Sequence, residues 1–168
     1  ASGAWGGNNK AASGTETVNL PNIGTQTFSV VCKNAADTVT ASTSVEVYQI
    51  IGGTVLDGYI RGAEVFFDTN DNKQLDTDES SVTTDNAGAF SNLKLTSGNL
   101  ISIGGLDAAT NITLDKFWLT SFSGDNLNLI ISPVTSLATL LLPQNKDAAY
   151  VKSMLGIDSN IDIYTQDP

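Results

Sequence analysis

Residues 54–95 read TVLDGYIRGAEVFFDTNDNKQLDTDESSVTTDNAGAFSNLKL, a stretch in which short apolar runs alternate with turn-forming residues. Runs rich in Val, Ile and Phe suit β-strands, and the Gly, Asn and Asp residues between them supply turns. Five short strands are predicted from these runs, at residues 54–60, 63–67, 81–84, 89–95 and 100–103. The glycine pair at 52–53 breaks the pattern before them, so we predict a β-sandwich over residues 51–131.

An acidic loop interrupts this stretch at residues 68–79, with the sequence DTNDNKQLDTDE. Oxygen-bearing side chains stand at positions 1, 3, 5, 9 and 12 of the loop, which is the spacing of an EF-hand. Ca²⁺ prefers about six to eight oxygen ligands, and a tight loop can aim alternate side chains inward. The predicted Ca²⁺ ligands are the side chains of Asp68, Asn70, Asn72, Asp76 and Glu79 and the backbone carbonyl of Gln74.

Lys73 departs from the EF-hand pattern at position 6, where glycine normally makes the sharp turn. We expect Lys73 to adopt a positive φ, which costs on the order of 1 kcal/mol and weakens ion binding. The loop nevertheless carries five acids against one lysine, a net charge of −4. Calcium binding is the favoured interpretation of this charge, and a solvated acidic turn is the alternative.

The first fifty residues show the alternation of a half-solvated sheet. Val39, Ala41, Thr43, Val45 and Val47 fall on one face of a predicted strand. An upstream strand presents its apolar residues in the same way, and residues 34–37 connect the two strands as a hairpin; these apolar residues are Phe28, Val30 and Cys32. Residues 14–20 are a further predicted strand, and Trp5 is a candidate core residue upstream of it.

The last part of the chain, residues 132–168, is predicted to be a short helical tail. Ser132 followed by Pro133 has the pattern of a helix N-cap and first helical position. Pro143 ends that helix, Asn145 is predicted to cap a second one, and Gly156 to end it. The predicted apolar stripes are Leu137, Leu140 and Leu141 on the first helix, and Ala148, Val151, Met154 and Leu155 on the second. Such a pair most often covers an open end of a sheet.

The composition excludes several classes of function. The chain has 18 acids against 8 bases, a net charge of −10 and no histidine. Repulsion therefore disfavours binding to nucleic acid or an anionic membrane surface, and catalysis by a Ser-His-Asp triad or a His-ligated zinc is excluded. No apolar run is long enough to span a bilayer. We predict a structural protein and not an enzyme.

The runs YIRGAEVFFD at 59–68 and TTDNAGAFSNL at 83–93, with the acidic loop between them, resemble the B-type domains of bacterial surface adhesins. The serine-aspartate repeat and collagen-adhesin proteins carry such domains. The resemblance covers residues 54–95 and implies a prealbumin-like β-sandwich, made rigid by Ca²⁺, that serves as a spacer in an extracellular, cell-surface protein. The internal isopeptide bond of some B domains is not implied, because residues 54–60 contain no lysine.

The order of Trp5, the strand with Phe28 and Cys32, and the strand that follows is similar to the second half of an immunoglobulin-like domain. A complete sandwich of that kind needs about seven strands and roughly 100 residues, so residues 1–50 form an incomplete half. Three explanations stay open: a fragment of a longer chain, pairing with the second module, or completion by a strand of a neighbouring subunit. The last explanation predicts self-association, as in a surface filament.

The second candidate function is a carbohydrate-binding module of a secreted hydrolase. Phe117, Trp118 and Phe122 are the aromatic residues that could stack on a glycan. Residues 111–113, NIT, match a glycosylation sequon. Asp57, Asp85 and Asp107 are candidates for additional Ca²⁺ ligands, with a turn role as the alternative for each.

Overall fold

The computed structural model describes residues 7, 14–33, 35–115, 118–121 and 127–167, and for residue 118 the backbone alone. The chain forms two compact units that divide between Gln49 and Ile50. The regular structure of the described residues is mostly β-strand, with two short α-helices, so the predicted all-β class is confirmed. No helix in this part of the chain has the length and apolarity needed to cross a bilayer.

The first unit contains one antiparallel hairpin. Strand β1 spans Gly24–Lys33 and β2 spans Thr38–Val47, and they pair without a break from Gly24 opposite Val47 to Lys33 opposite Thr38. The predicted hairpin is thus confirmed. The strand predicted at residues 14–20 is wrong: that stretch has no regular structure, because its two apolar side chains, Val18 and Leu20, supply little surface to bury. Trp5 lies outside the described residues.

The second unit is built from two main sheets and a small two-stranded one. Its strands are β3 (Ile50–Val55), β4 (Ile60–Arg61), β5 (Glu64–Asp68), β6 (Ser81–Thr83), β7 (Ala89–Lys94), β8 (Asn99–Ile103), β9 (Leu106–Asp107), β10 (Trp118–Ser121) and β11 (Asn128–Ile131). One sheet has the order β10-β8-β5-β6 and is antiparallel throughout. The other has the order β11-β3-β7, with β11 parallel to β3. Strands β4 and β9 pair separately.

One apolar core lies between the two main sheets, so the second unit is sandwich-like. On β5, Val65 and Phe67 point into this core, while the intervening Phe66 is buried on the opposite face. The buried core residues from the other strands include Ile51, Val55, Phe90, Leu93, Leu100, Leu119, Leu129 and Ile131. Each such side chain contributes roughly 1.5–3 kcal/mol on burial, so this core is the main stabilising feature of the unit.

The glycine pair at 52–53 does not break the sheet, and the strand predicted at 54–60 is wrong. Strand β3 runs through both glycines and ends at Val55, where residues 56–59 form a turn. A β-carbon on Gly53 would lie 2.0 Å from the carbonyl oxygen of Leu129 and 2.9 Å from Cε1 of Phe90. Glycine is therefore required here because β11 packs closely against β3, and not because a turn begins.

Two helices follow β11: α1 spans Pro133–Leu141 and α2 spans Ala148–Leu155, with a 3₁₀ turn at Leu142–Gln144 between them. The predicted cap is confirmed, because the Ser132 side chain accepts a hydrogen bond from Thr135 N. Gly156 ends α2 with φ 70°, as expected. The prediction for Asn145 is wrong: Asp147 caps α2 by accepting from Tyr150 N at 3.0 Å.

The predicted leucine stripe of α1 is wrong for Leu137 and Leu140, whereas Leu141 is partly buried against the cluster of Ala138, Val151 and Ile163. Leu137 and Leu140 are 39% and 51% exposed, whereas Thr135, Ser136 and Ala138 are buried. The Oγ atoms of Thr135 and Ser136 donate to the backbone carbonyl of Thr120, which turns this polar face of the helix toward β10. Helix α1 therefore covers the β10 edge of the sheet, and α2 packs against α1. On α2 the predicted stripe is confirmed for Val151, which is buried with Ala138 and Ile163, and for Ala148, which packs against them. It is wrong for Met154 and Leu155, which are exposed.

Candidate metal centre

The predicted ion-binding loop connects β5 to β6, and Asp68 anchors its start. Asp68 is the last residue of β5 and is 1% exposed. Its Oδ1 accepts from Asn72 N at 3.1 Å and its Oδ2 accepts from Lys73 N at 2.9 Å. A buried carboxylate that receives two backbone N–H groups fixes the first turn of the loop, as an N-cap residue does in a helix.

Asn70, Asn72 and Asp76 converge in the middle of the loop. The Nδ2 atoms of Asn70 and Asn72 both donate to Oδ2 of Asp76, at 2.8 and 2.9 Å. The opposite side of each amide accepts from the backbone two residues on: Asn70 Oδ1 from Asn72 N at 3.1 Å, and Asn72 Oδ1 from Gln74 N at 2.7 Å. Two successive Asx turns therefore bring these three side chains together.

Glu79 closes the loop onto its first residues. Its Oε1 accepts from Thr69 N at 2.7 Å and from Thr69 Oγ1 at 3.0 Å, and its Oε2 accepts from Asp76 N at 3.2 Å. One carboxylate thus joins position 2, position 9 and position 12 of the loop. The sequence pattern gave Glu79 a role as an ion ligand, but it carried no signal for the contribution of Thr69.

Lys73 has the positive φ that its position requires, 61°, and Asp71 has the same value. The Lys73 ammonium pairs with the carboxylate of Asp71, which is not one of the predicted ligands. This hydrogen bond and the lysine charge hold the pKa of Asp71 below its usual value. Asn99 of β8 also donates to Asp71 Oδ1, at 3.1 Å, so the loop is tied to a strand distant in sequence.

The pairing of Lys73 with Asp71 leaves the loop with four other carboxylates, on Asp68, Asp76, Asp78 and Glu79. Within the described part of the chain none of these four forms an ion pair with a basic side chain. Backbone N–H groups donate to Asp68 and Glu79, and the side-chain amides of Asn70 and Asn72 donate to Asp76. An N–H group carries only a partial positive charge. The loop therefore retains a concentration of negative charge at its ligand positions.

The structure brings five of the six predicted ligand residues into one hydrogen-bonded network; they are Asp68, Asn70, Asn72, Asp76 and Glu79. The sixth, Gln74, joins it through its backbone N–H. Among the described residues, no three His, Cys, Asp or Glu side chains are grouped closely enough to hold a metal ion by themselves. The residue types fit a hard cation because carboxylate and amide oxygens are ligands that Ca²⁺ prefers, although the amide nitrogens of Asn70 and Asn72 face Asp76 in this structure.

The other candidate ligands have turn roles. Asp85 Oδ1 accepts from Ala87 N and Ala89 N, at 2.8 and 2.9 Å. Asp107 accepts from Ala109 N at 2.8 Å and from Thr110 Oγ1, and these hydrogen bonds hold its pKa below the usual value. Asp57 lies in the turn at residues 56–59. The turn alternative thus accounts for Asp85 and Asp107.

The predicted glycan platform rests on side chains outside the described residues, those of Phe117, Trp118 and Phe122. It stays a prediction.

Comparisons with protein families, with curated proteins and with solved structures found no match to this chain. The immunoglobulin-like and B-type resemblances therefore also stay predictions, and the residues of the loop themselves carry the functional argument.

Proposed function

We propose that this chain is an extracellular structural protein, a subunit or segment of a bacterial surface filament or adhesin, stabilised by Ca²⁺ at the loop of residues 68–79. The observation that carries the proposal is the closed loop itself. Its predicted ligands share one network, and four of its carboxylates have no basic partner among the described residues.

Calcium would be held by Asp68, Asn70, Asn72, Asp76 and Glu79 with the carbonyl of Gln74, and it would supply the positive charge that the loop lacks. Asp68 fixes the beginning of the loop to β5, and Glu79 fixes its end to Thr69. Neutralising the carboxylates removes their mutual repulsion, and ordering the loop lowers its conformational freedom. The connection between β5 and β6 would then be stiff, which suits a protein with a mechanical role.

An extracellular location is supported by the affinity that such a loop can reach. Extracellular calcium modules bind at about 10⁻⁴–10⁻³ M, and the non-glycine residue at position 6 favours this weak range over that of intracellular sensors. Ion concentrations that saturate such a site occur outside the cell. The acidic composition and the mostly β structure agree with a secreted surface protein.

Thermal unfolding with and without Ca²⁺ tests the proposal. At about 10 mM Ca²⁺ and the affinities above, binding stabilises the folded unit by about 1.4–2.7 kcal/mol. For a unit of this size the melting temperature should rise by about 5–15 °C, and chelation should reverse the rise. Mg²⁺ at the same concentration should give a smaller rise, because Mg²⁺ demands a tighter octahedral site.

Matched variants separate ion binding from a general charge effect. Glu79→Gln and Asp76→Asn remove predicted ligands, whereas Asp78→Asn removes the same charge from an exposed, non-ligand position of the same loop. The calcium-dependent rise should disappear in the first two variants and persist in the third. A melting temperature that does not respond to Ca²⁺ in the unaltered protein, or equal responses in all three variants, contradicts the proposal.

A further inference from the structure

Among the described residues, strand β2 lies at the edge of its sheet. Nine of its ten residues are exposed, and in the described part of the chain its sheet contains only β1 and β2. Natural edge strands are usually blunted by lysine, proline or a β-bulge. The β2 sequence TVTASTSVEV has one charged residue, Glu46, and no proline, and its pairing with β1 continues through ten residues without a bulge. Such an edge is a template for another strand.

The hairpin also has one apolar face. The register places Phe28 opposite Thr43, Val30 opposite Ala41 and Cys32 opposite Val39. On β2, Val39 is 61% exposed and Val45 is 47% exposed, although both belong to this face. A two-stranded hairpin is marginally stable alone in water, and additional strands stabilise it.

We propose that β2 pairs antiparallel with β2 of a second copy of this chain, about a two-fold axis at Thr43. The inference rests on the proposed structural role and names the partner in assembly. In this register Val39 faces Val47 of the other copy, Ala41 faces Val45, and Thr43 faces its own counterpart. All five residues on the apolar side of β2 then have cross-strand partners from the same side. A slip by one residue would place them opposite polar side chains.

Charge favours this strand as the contact between copies. The whole chain carries a net charge of −10, so two copies repel each other over most of their surfaces. Strand β2 contains one acid in ten residues, and the proposed register places that acid, Glu46, opposite Thr40. No like charges meet across the pair. The second copy therefore matches β2 in register and side-chain type, and the pair brings no two acids together.

Disulfide crosslinking tests the register. In a Cys32→Ser background, which removes the only native thiol, Thr43→Cys should form an intermolecular disulfide under mild oxidation. Directly opposed residues have Cα atoms about 4.5–5.5 Å apart, within disulfide range. Val39→Cys is the matched control, because its two copies would lie about 27 Å apart along the strand pair. Crosslinking at Ser42→Cys instead of Thr43→Cys, or equal crosslinking of Thr43→Cys and Val39→Cys, overturns the proposal.

Sedimentation of the unaltered chain provides the second test. A dimer is expected, and Thr43→Lys should weaken it at least about ten-fold by placing two ammonium groups opposite each other. Thr25→Lys adds the same charge to an exposed position of β1 and should leave the dimer intact. A chain that stays monomeric overturns the inference. The melting temperature of Thr43→Lys should still rise with Ca²⁺, and Glu79→Gln should still form the dimer. Failure of this inference is therefore distinguishable from failure of the calcium proposal.

Discussion

Replacing Gly53 with alanine tests the reason for the glycine in β3. The added β-carbon would lie 2.0 Å from the carbonyl oxygen of Leu129, whereas ordinary contact begins at 3.4 Å. Strand β11 must then move by about 1.4 Å. This shift would stretch two flanking hydrogen bonds beyond bonding distance, those from Gly52 N to Leu127 O at 2.9 Å and from Leu56 N to Ile131 O at 2.8 Å.

Two lost hydrogen bonds cost about 1 kcal/mol each, and loosened packing of Leu129 and Ile131 adds about 1–3 kcal/mol, so the total is about 3–5 kcal/mol. With a denaturant slope of about 2 kcal/mol per molar, the midpoint of urea unfolding should fall by roughly 1.5–2.5 M, measured by circular dichroism. The control is Gly62→Ala, where no atom lies within 4 Å and φ is +68°. Its cost should be about 1–2 kcal/mol of backbone strain. If Gly53→Ala destabilises the protein no more than Gly62→Ala, the close-packing argument is refuted.

Two further predictions concern buried polar groups and pH. Thr135→Val should lower the free energy of unfolding by about 1–3 kcal/mol, because it leaves the buried Ser132 N without its hydroxyl acceptor and removes one of the two hydroxyl donors to Thr120 O. Ser121→Ala should change the free energy of unfolding by less than about 0.5 kcal/mol, because the Ser121 hydroxyl is buried without a partner among the described residues. Calorimetry of both variants checks this contrast, and equal losses of stability would contradict it. The pKa of Asp107 is lowered in the folded state, so its stabilising effect is complete above its unfolded value of 3.8 and is lost as pH falls through the lower folded value. Asp107→Asn should therefore flatten the decline of the urea midpoint below about pH 4, and an unchanged slope would count against this assignment.

The individual strands could be predicted from the sequence because their signals are local. Runs such as 63–67 and 89–95 coincide closely with β5 and β7, since apolar β-formers and turn residues alternate there. The sequence pattern does not predict strands β10 and β11. The parallel pairing of β3 with β11 was also beyond local pattern, since it joins residues far apart in the chain.

The candidate site was predictable for a different reason. Its ligand residues lie within twelve consecutive positions, so spacing alone defines their register. The contribution of Asn99 comes from another strand, and no local pattern connects it to the loop. The apolar stripe of α1 is wrong for Leu137 and Leu140 because hydrogen bonds of Thr135 and Ser136 to Thr120 determine which face of α1 is buried.

The position of β11 beside β3 also has a consequence for the order of folding. Strand β3 opens the second unit, but its parallel neighbour begins only at Asn128, after the other strands of that unit have been made. Closing so long a loop is entropically costly, and non-local pairing of this kind slows folding. During synthesis the chain therefore presents β3 with one edge unfilled until β11 arrives. The last strand to appear is the one that completes the three-stranded sheet, so partial chains of this protein lack a finished core.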